Sequence, residues 1–495
     1  MKILLIAPPW LEIYGDYKAA AKVGLVTPPL GLAYLGGGIL ATGSECEVLD
    51  MEADQLTTAG LITHIKENKP DLIGLTATTP IFHNATVLAE QIKKEFPSIP
   101  LALGGVHSTI VGKKALEECP YFDFQVQGEA EITIQEIIFA LENGKSLEGI
   151  TGVNFRQGDT IVENPKRVSI DNIDQIPIAA RHLLGNSNYK SYLPNSGSTS
   201  YTGIFTSRGC PYECTFCSQH TMYGRKVRNH TIERVIEEIR VIVEENGIRH
   251  LIIMDDTLTV NKKRMMKLCE AIKKSGLKFT WEGWTHAATV DEEVLQTMKE
   301  AGLIRLSFGI ESGDPEILKS IKKGATLNHI KNAYRIARKV GLETRGSAII
   351  GHPNETKASA WRTLKFIRSL KDCQQMFLNV ATPYPGTELY DAAVNGTGGM
   401  RLLKTDYSEY KRYGDPVISV NDLSPRDLKK LQMIGLIMFY MTPYRFWYNI
   451  FRRSTLKAGV VNVYAFGISI LRTFFHFEKG DRSRDNVPHF SGGTF

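Results

Sequence analysis

The chain is poor in cysteine, with seven in 495 residues. That excludes a disulfide-built secreted scaffold, which is short and cysteine-dense. It lacks any clear apolar run of about twenty residues, so no membrane span is expected. Its opening, Met1-Lys-Ile-Leu-Leu-Ile-Ala-Pro-Pro9, is too short for a signal peptide and reads as a strand broken by proline. The formal charge of +6 is not gathered into a basic block, and no nucleic-acid partner is expected. No G-x-G-x-x-G follows a strand, so the dinucleotide fingerprint is missing. The apolar and charged fractions, 43% and 23%, are those of an ordinary folded protein, and the length fits two to four domains. Free thiols fit a reducing cytoplasm.

Three of the seven cysteines are concentrated in one stretch. Cys210, Cys214 and Cys217 are spaced C-x3-C-x2-C. A structural zinc site needs four ligands, and no fourth cysteine or usual histidine spacing follows. Iron–sulfur clusters accept thiolates readily. Three thiolates on a four-iron cubane leave one iron free for a small molecule.

The fold class expected is α/β. Residues 1–150 alternate short apolar strands (2–7, 46–50, 71–78, 101–107, 122–127) with helices (82–96, 110–118 and one opening at Glu129). This predicts a doubly wound parallel sheet, which binds ligands beyond its strands' carboxyl ends. The turns around Thr76, Thr78, Gly104 and Gly105 lie there. Residues 151–200 are rich in turn formers and read as a connector with a small hairpin turn at 156–160. Residues 201–390 repeat strand and helix about six times, which predicts a partial (β/α)6 barrel with catalytic groups at its carboxyl ends. The expected strands are 203–206, 249–254, 278–284, 303–308, 343–350 and 375–380. Residues 391–480 read as mostly helical, with a helix capped by Ser424 and a second apolar run at 458–475, and 481–495 as a mobile end. The aromatic and arginine mixture after Pro443 fits either a helical cap over the barrel mouth or a helix lying on the inner face of a membrane.

Cys210-Pro-Tyr-Glu-Cys214-Thr-Phe-Cys217 matches the radical SAM signature in spacing and in the aromatic before the last cysteine. Ahead of it, Gly104-Gly-Val-His-Ser-Thr109 and Gln127-Gly-Glu-Ala-Glu131 resemble the Gly-Gly and Gly-Glu-x-Glu stretches of the cobalamin-binding domain of B12-binding radical SAM proteins. The resemblance implies a [4Fe–4S] cluster on the three cysteines, S-adenosylmethionine on the open iron, and cobalamin on the first domain near Thr76, Thr78, Gly104, Gly105, Gly128 and Glu129. His107 is placed near the corrin or, equally, is a hydrogen-bonded turn residue. Asp50-Met-Glu-Ala-Asp-Gln55 lacks the histidine of the Asp-x-His-x-x-Gly motif, so no lower histidine ligand to cobalt is expected from it.

In the barrel, the same resemblance assigns Asp255 or Asp256 to the methionine amine, though Met254-Asp-Asp-Thr257 departs from the family's glycine-rich motif. Glu311, in a Gly-Ile-Glu-Ser stretch, is placed near the ribose and amine. Arg345 is the candidate for the methionine carboxylate, and Ile349 for the adenine. Phe216 either covers the cluster and adenine or simply packs. Tyr384, in the loop 381–387, either faces substrate as a catalytic group or packs.

Such a protein resembles the radical SAM methyltransferases that use a 5′-deoxyadenosyl radical and methylcobalamin, and also the anaerobic magnesium-protoporphyrin monomethyl ester cyclase. A C-methyltransferase acting on an apolar lipid, isoprenoid or tetrapyrrole is the leading expectation. An oxidative cyclase is the alternative, and a noncatalytic cobalamin or cluster sensor a third. A methylthiotransferase fits poorly, because the first domain has only Cys46 and Cys119. The partner implied is a low-potential electron donor such as flavodoxin or ferredoxin.

Overall fold

A computed structural model describes residues 1–11, 13–14, 27–185, 189–193 and 197–448. The apolar run 458–475 and the end 481–495 lie outside the described residues.

The first sheet has seven strands: β1 (Lys2–Ala7), β2 (Glu45–Asp50), β3 (Leu72–Thr76), β4 (Leu101–Gly104), β5 (Phe124–Val126), β6 (Val153–Gln157) and β7 (Thr160–Glu163), in the order β2-β1-β3-β4-β5-β6-β7. The first five are parallel. Ile3, Leu4, Leu5 and Ile6 are all nearly inaccessible, because helices cover both faces of β1. The hairpin placed in the connector is part of this sheet: β6 pairs antiparallel with β5, and β7 with β6. β6 returns along β5 after the helix Ala130–Glu142, and the step from β6 to β7 needs only the tight turn at Gly158.

The second sheet is the six-stranded partial barrel: β8 (Thr202–Ile204), β9 (His250–Ile253), β10 (Thr280–Thr285), β11 (Leu303–Glu311), β12 (Glu343–Ile350) and β13 (Gln375–Val380), parallel and in sequence order. The alternation of its strands separates two environments. Leu251, Trp281, Phe308, Ala348 and Leu378 point outward into the large core shared with the helices. The opposite face lines the barrel interior. Near the strands' amino ends that interior is ionic: Arg305 bridges Glu282 and Glu343 with its side chain fully buried.

The helix Pro425–Tyr440 begins with a capping box between Ser424 and Asp427. It does not cap the barrel mouth. It lies on the outside of β13, where Gln432 donates to the Leu378 carbonyl (2.9 Å) and Tyr440 Oη bonds both backbone groups of Met376 (3.0 Å each). Gly435 permits this approach, since a Cβ there would sit 2.4 Å from a Leu378 methyl. Its apolar face is therefore occupied by protein. Among the described residues no helix is long and apolar enough to cross a membrane.

Candidate active site between two facing sheets

The carboxyl ends of the two sheets face each other. Leu30, beyond the end of β1, fills the space in front of Gly203 on the barrel's inner face; a Cβ at Gly203 would sit 2.8 Å from it. Arg412 donates its amide to the Ile13 carbonyl (2.8 Å) and its Nε to Asn379 on β13 (2.9 Å). Tyr407 sets its ring edge on His107, 5.2 Å between centroids.

On the barrel side, chain leaving β8 runs through Thr206 and Ser207 into the cysteine loop. Asp255, at the end of β9, fixes this segment. Its Oδ1 accepts from the amides of Thr206 (2.6 Å) and Ser207 (3.0 Å), and its Oδ2 from their hydroxyls (2.5 and 2.7 Å). With four bonds and 3% exposure, Asp255 has no capacity left for a cofactor amine. Asp256 does. Gln219 donates to its Oδ1, while its buried Oδ2 has no partner. Burial first, helped by the neighbouring Asp255 charge, pushes this carboxyl above the usual range against the Gln219 bond and a weaker pull from the Gly209 amide. An ammonium donor would satisfy the orphaned oxygen.

Cys210, Cys214 and Cys217 are half-buried free thiols. Gly209 sets the loop's start with φ 99°, and a Cβ there would lie 2.3 Å from the Lys226 carbonyl. Burial pushes the Cys217 thiol up to about 11, with the other two thiols adding to it; Cys214 is also raised by burial, against the pull of Lys323. Among the described residues no set of three His, Cys, Asp or Glu is already closed around a metal position. The donor set still suits iron: three thiols on one loop, each held out of full solvent, whose protons a bound metal would displace.

Lys323 escaped the sequence reading. Its ammonium is 3.0 Å from Glu311 Oε1, both side chains being buried. Gly309 makes room for the pair, since a Cβ there would lie 2.2 Å from Glu311 Oε1. Glu311 holds φ 62°, a left-handed conformation that turns it off the strand end. The Lys323 carbonyl contacts His286 Nε2 (2.7 Å), and the His286 ring stacks on Tyr212 at 4.0 Å.

Arg345 is not at the carboxyl end. It is the third residue of β12, five short of Ile350, or about 16 Å at the rise of a strand. Glu282 Oε1 (3.2 Å) and Gln375 Oε1 (3.0 Å) hold it in the ionic layer. A strand read by residue type alone does not reveal how far along it a charge sits. Ile349 faces inward near the strand's end, half-buried. After it, His352 is fully buried with its ring 5.7 Å from Phe216, and Glu355 Oε2 accepts from the Gly351 and His352 amides. Burial drives His352 down to about 3 and Glu355 up to about 7. Tyr384 packs against the barrel core, 6.3 Å from Tyr410. The sequence reading also missed Trp284. It shares the inward face of β10 with Glu282 yet is 40% exposed, although Thr280-Trp-Glu-Gly-Trp-Thr285 shows two tryptophans on opposite faces.

On the first-domain side, the turns at the ends of β3, β4 and β5 leave room. A Cβ at Gly104 or Gly128 would meet nothing within 4 Å. Gly105, at φ 93°, is different: a Cβ there would strike Thr76 Oγ1 (2.6 Å) and the Ala77 carbonyl (2.8 Å). Thr109 ties the turns together, donating to the Gly105 carbonyl (2.9 Å) and accepting from the Gly128 amide (2.9 Å). Thr76 is half-buried and Thr78 exposed at the same edge. This is a cradle of backbone and open space, which suits a large flat ligand such as cobalamin.

Two residues assigned to that cradle are engaged elsewhere. His107 is enclosed, with Nδ1 3.3 Å from Thr79 Oγ1 and its ring 4.2 Å from Phe82. Burial lowers it to about 4, so it is neutral. Glu129 turns away from the cradle: its Oε1 accepts from Arg208 (2.9 Å), and its Oε2 from Arg228 (2.6 Å) and the Ile170 amide (3.1 Å). Arg208 also reaches Glu131 (2.6 Å) and lies over the rings of Tyr34, Phe205 and Tyr223. This buried ionic knot joins the first domain to the residue two before Cys210.

Comparison with known proteins agrees with this division. The B12 binding domain model matches residues 18–138, and the radical SAM superfamily model matches 204–367. An uncharacterized methyltransferase of Pyrococcus horikoshii is 36% identical over 445 residues, 90% of this chain and 93% of that one. The anaerobic magnesium-protoporphyrin IX monomethyl ester cyclase of Cereibacter sphaeroides is 28% identical over 509 residues, 99% of this chain and 80% of that one. Among solved structures, the radical S-adenosylmethionine methyltransferase TsrM from Kitasatospora setae, with cobalamin and [4Fe–4S] cluster bound, shares the fold with a TM-score of 0.67 at 18% identity over 90% of each chain. The chain therefore belongs to the cobalamin-binding radical SAM family and is a radical SAM enzyme that uses a [4Fe–4S] cluster, S-adenosylmethionine and cobalamin.

Proposed function

We propose that the enzyme is a C-methyltransferase acting at an unactivated carbon of an apolar substrate. The observation that carries this reading is the facing of the two strand-end edges across one space, joined by Leu30, Arg412 and Tyr407. When bound, the cluster and S-adenosylmethionine supply a 5′-deoxyadenosyl radical, and cobalamin supplies a methyl group. Cys210, Cys214 and Cys217 hold the cluster. Asp256, through its unpartnered Oδ2, takes the methionine amine, while Asp255 keeps the loop in register. Glu311, steadied by Lys323, lies beside the same cofactor, and Phe216 and Ile349 exclude water around its adenine. Gly104, Gly105 and Gly128, with Thr76 and Thr78, admit cobalamin.

The substrate wall is the barrel's inner face. Trp284 and Phe377 offer aromatic surface there, and Arg412 lies over the Phe377 ring at 5.2 Å. This favours an apolar substrate with flat or ring-shaped parts, in the range of lipids, isoprenoids and tetrapyrroles. Among similar proteins, one is named for methylating a hopanoid and another for closing a ring of a magnesium porphyrin.

The test is anaerobic incubation of the reconstituted enzyme with methyl-labelled S-adenosylmethionine and host extract, followed by mass spectrometry. The expected result is a labelled apolar product, formed with equal amounts of 5′-deoxyadenosine and S-adenosylhomocysteine. An oxidised, unlabelled product with 5′-deoxyadenosine alone supports the cyclase instead.

A further inference from the structure

We propose that an acidic one-electron carrier protein docks in the groove between the helices Pro315–Ser320 and Leu327–Val340, on the outer wall of the barrel, and delivers its electron past Cys214. The inference rests on the radical SAM assignment and is independent of methyl transfer.

The first argument is access. The barrel mouth faces the first domain, which the buried Arg208–Glu129 knot holds against it. The cysteine loop reaches the outside elsewhere. Cys214 Sγ lies 4.0 Å from the Lys322 carbonyl in an exposed contact, and the Thr215 amide donates to the Ile321 carbonyl (3.1 Å). Tyr212, two residues before Cys214, packs 3.6 Å from where a Cβ on Gly324 would be. The stretch Ile321–Gly324 therefore separates the thiol from the groove by a single layer of backbone. Electron transfer falls steeply with distance, so the outer wall at this stretch is the short path.

The second argument is the groove itself. It encloses about 690 Å³, has an apolar floor of Leu318, Ala325 and Leu327, and opens between exposed Lys319 and Lys322. Lys319 has no ion-pair partner among the described residues, and Lys322 is held by Glu388 (2.8 Å). Lys323, behind them, is paired with Glu311 inside the wall and adds no net charge to the groove. An apolar floor between cations suits a partner that presents a hydrophobic cofactor edge ringed by carboxylates. Charge of this kind raises the association rate and makes it salt-sensitive. In each encounter the reduced carrier loses one electron and the enzyme gains one, which goes into breaking the C5′–S bond of one S-adenosylmethionine.

The experiment compares wild type with Lys319→Glu/Asn328→Glu, two exposed positions of the groove outside the cofactor machinery. Reduced flavodoxin and reduced [2Fe–2S] ferredoxin are the protein probes, and dithionite is the small-molecule control. Three quantities are read: 5′-deoxyadenosine formed with each reductant, carrier binding by fluorescence anisotropy at several salt concentrations, and iron content. The expected result is dithionite-driven cleavage within about twofold of wild type, together with a rise of about tenfold or more in KM and Kd for a carrier and a flatter salt dependence. Unchanged KM and Kd for both carriers overturn the proposal. So does an equal fall with dithionite and carrier, which would place the effect in the cluster instead of the dock. The single variant Lys319→Ala, expected to shift the carrier's KM in the same direction by a smaller factor, keeps the test open if the double variant folds poorly.

Discussion

At the strand ends of the barrel, the groups that face the shared space are side chains with chemistry of their own: three thiols, the Asp256 carboxylate, the Glu311–Lys323 pair and the Trp284 ring. At the strand ends of the first sheet, what faces that space is backbone. Gly104 and Gly128 stand before empty volume, and the polar residues nearby point elsewhere, Glu129 to two arginines and His107 into an aromatic enclosure. In the proposed assignment, a small cofactor that must be cleaved is met by directed side-chain donors and acceptors. In the same assignment, a large cofactor that must only be held is met by space and main chain.

The largest effect should come from the side-chain half. Alanine at Cys210, Cys214 or Cys217 should abolish the four-iron cluster and all formation of 5′-deoxyadenosine. Cys269 and Cys373 are fully buried in the barrel core, away from the loop, and their alanine variants should keep cluster and cleavage. Iron and sulfide analysis with product chromatography decides it; a Cys214→Ala protein with full iron and normal product would remove the assignment.

The next effect tests whether the halves are one unit. Glu129 is the hinge of the comparison, since it follows Gly128 in the cradle but its charge serves Arg208 and Arg228. Glu129→Ala leaves two buried guanidinium groups short of their counter-charge, and breaking such a pair costs about 3–5 kcal/mol. Denaturant unfolding should show that loss. Titration with hydroxocobalamin on the protein that remains folded should show little change in intrinsic affinity, because no Glu129 oxygen faces the cradle. A wild-type stability with a large loss of cobalamin affinity would return Glu129 to the cofactor site.

Much of this was legible in the chain. Six barrel strands, five parallel strands of the first sheet and the thiol spacing follow from periodicity and from residues that have few other uses so close together. The failures share a cause. Asp255 and Asp256 are adjacent identical residues, and only the entering chain at Thr206 and Ser207 decides which one is consumed. Arg345 is a cation on the right strand but in the wrong layer. Glu129 lies in the motif, yet its partners are 79 and 99 residues away. Sequence reports residue type and local period; it does not report how many of a side chain's bonds are already filled by distant chain.

The two carboxylates sharpen that point with a smaller effect. Asp256→Asn removes an ionised acceptor from the position proposed for the methionine amine. A lost charge-assisted hydrogen bond of about 1.5–3 kcal/mol corresponds to roughly 10- to 150-fold weaker S-adenosylmethionine binding. Iron content and melting temperature should stay near wild type. Asp255→Asn should do the reverse: an amide cannot accept all four bonds from Thr206 and Ser207, so stability and iron loading fall before cofactor affinity can be compared. Equal loss of affinity in two equally stable proteins would mean that both carboxylates reach the cofactor.

The smallest effect probes the backbone half, where substitution adds atoms and removes none. At Gly104 a methyl group has room in the protein alone, so Gly104→Ala should melt close to wild type. The same methyl projects into the open volume proposed for the corrin, and cobalamin binding, followed by its visible absorbance, should weaken several-fold. At Gly105 the backbone is at φ 93° and a Cβ collides with Thr76 and Ala77. With ψ at −167° this is a conformation essentially confined to glycine, and holding a residue with a Cβ there costs about 1–3 kcal/mol, so Gly105→Ala should lose stability as well as cobalamin. The contrast between neighbouring glycines is the informative result. If both variants lose stability equally, the space before Gly104 is filled in solution and the cradle lies elsewhere; if Gly104→Ala binds cobalamin as wild type does, the corrin does not pass that edge of the sheet.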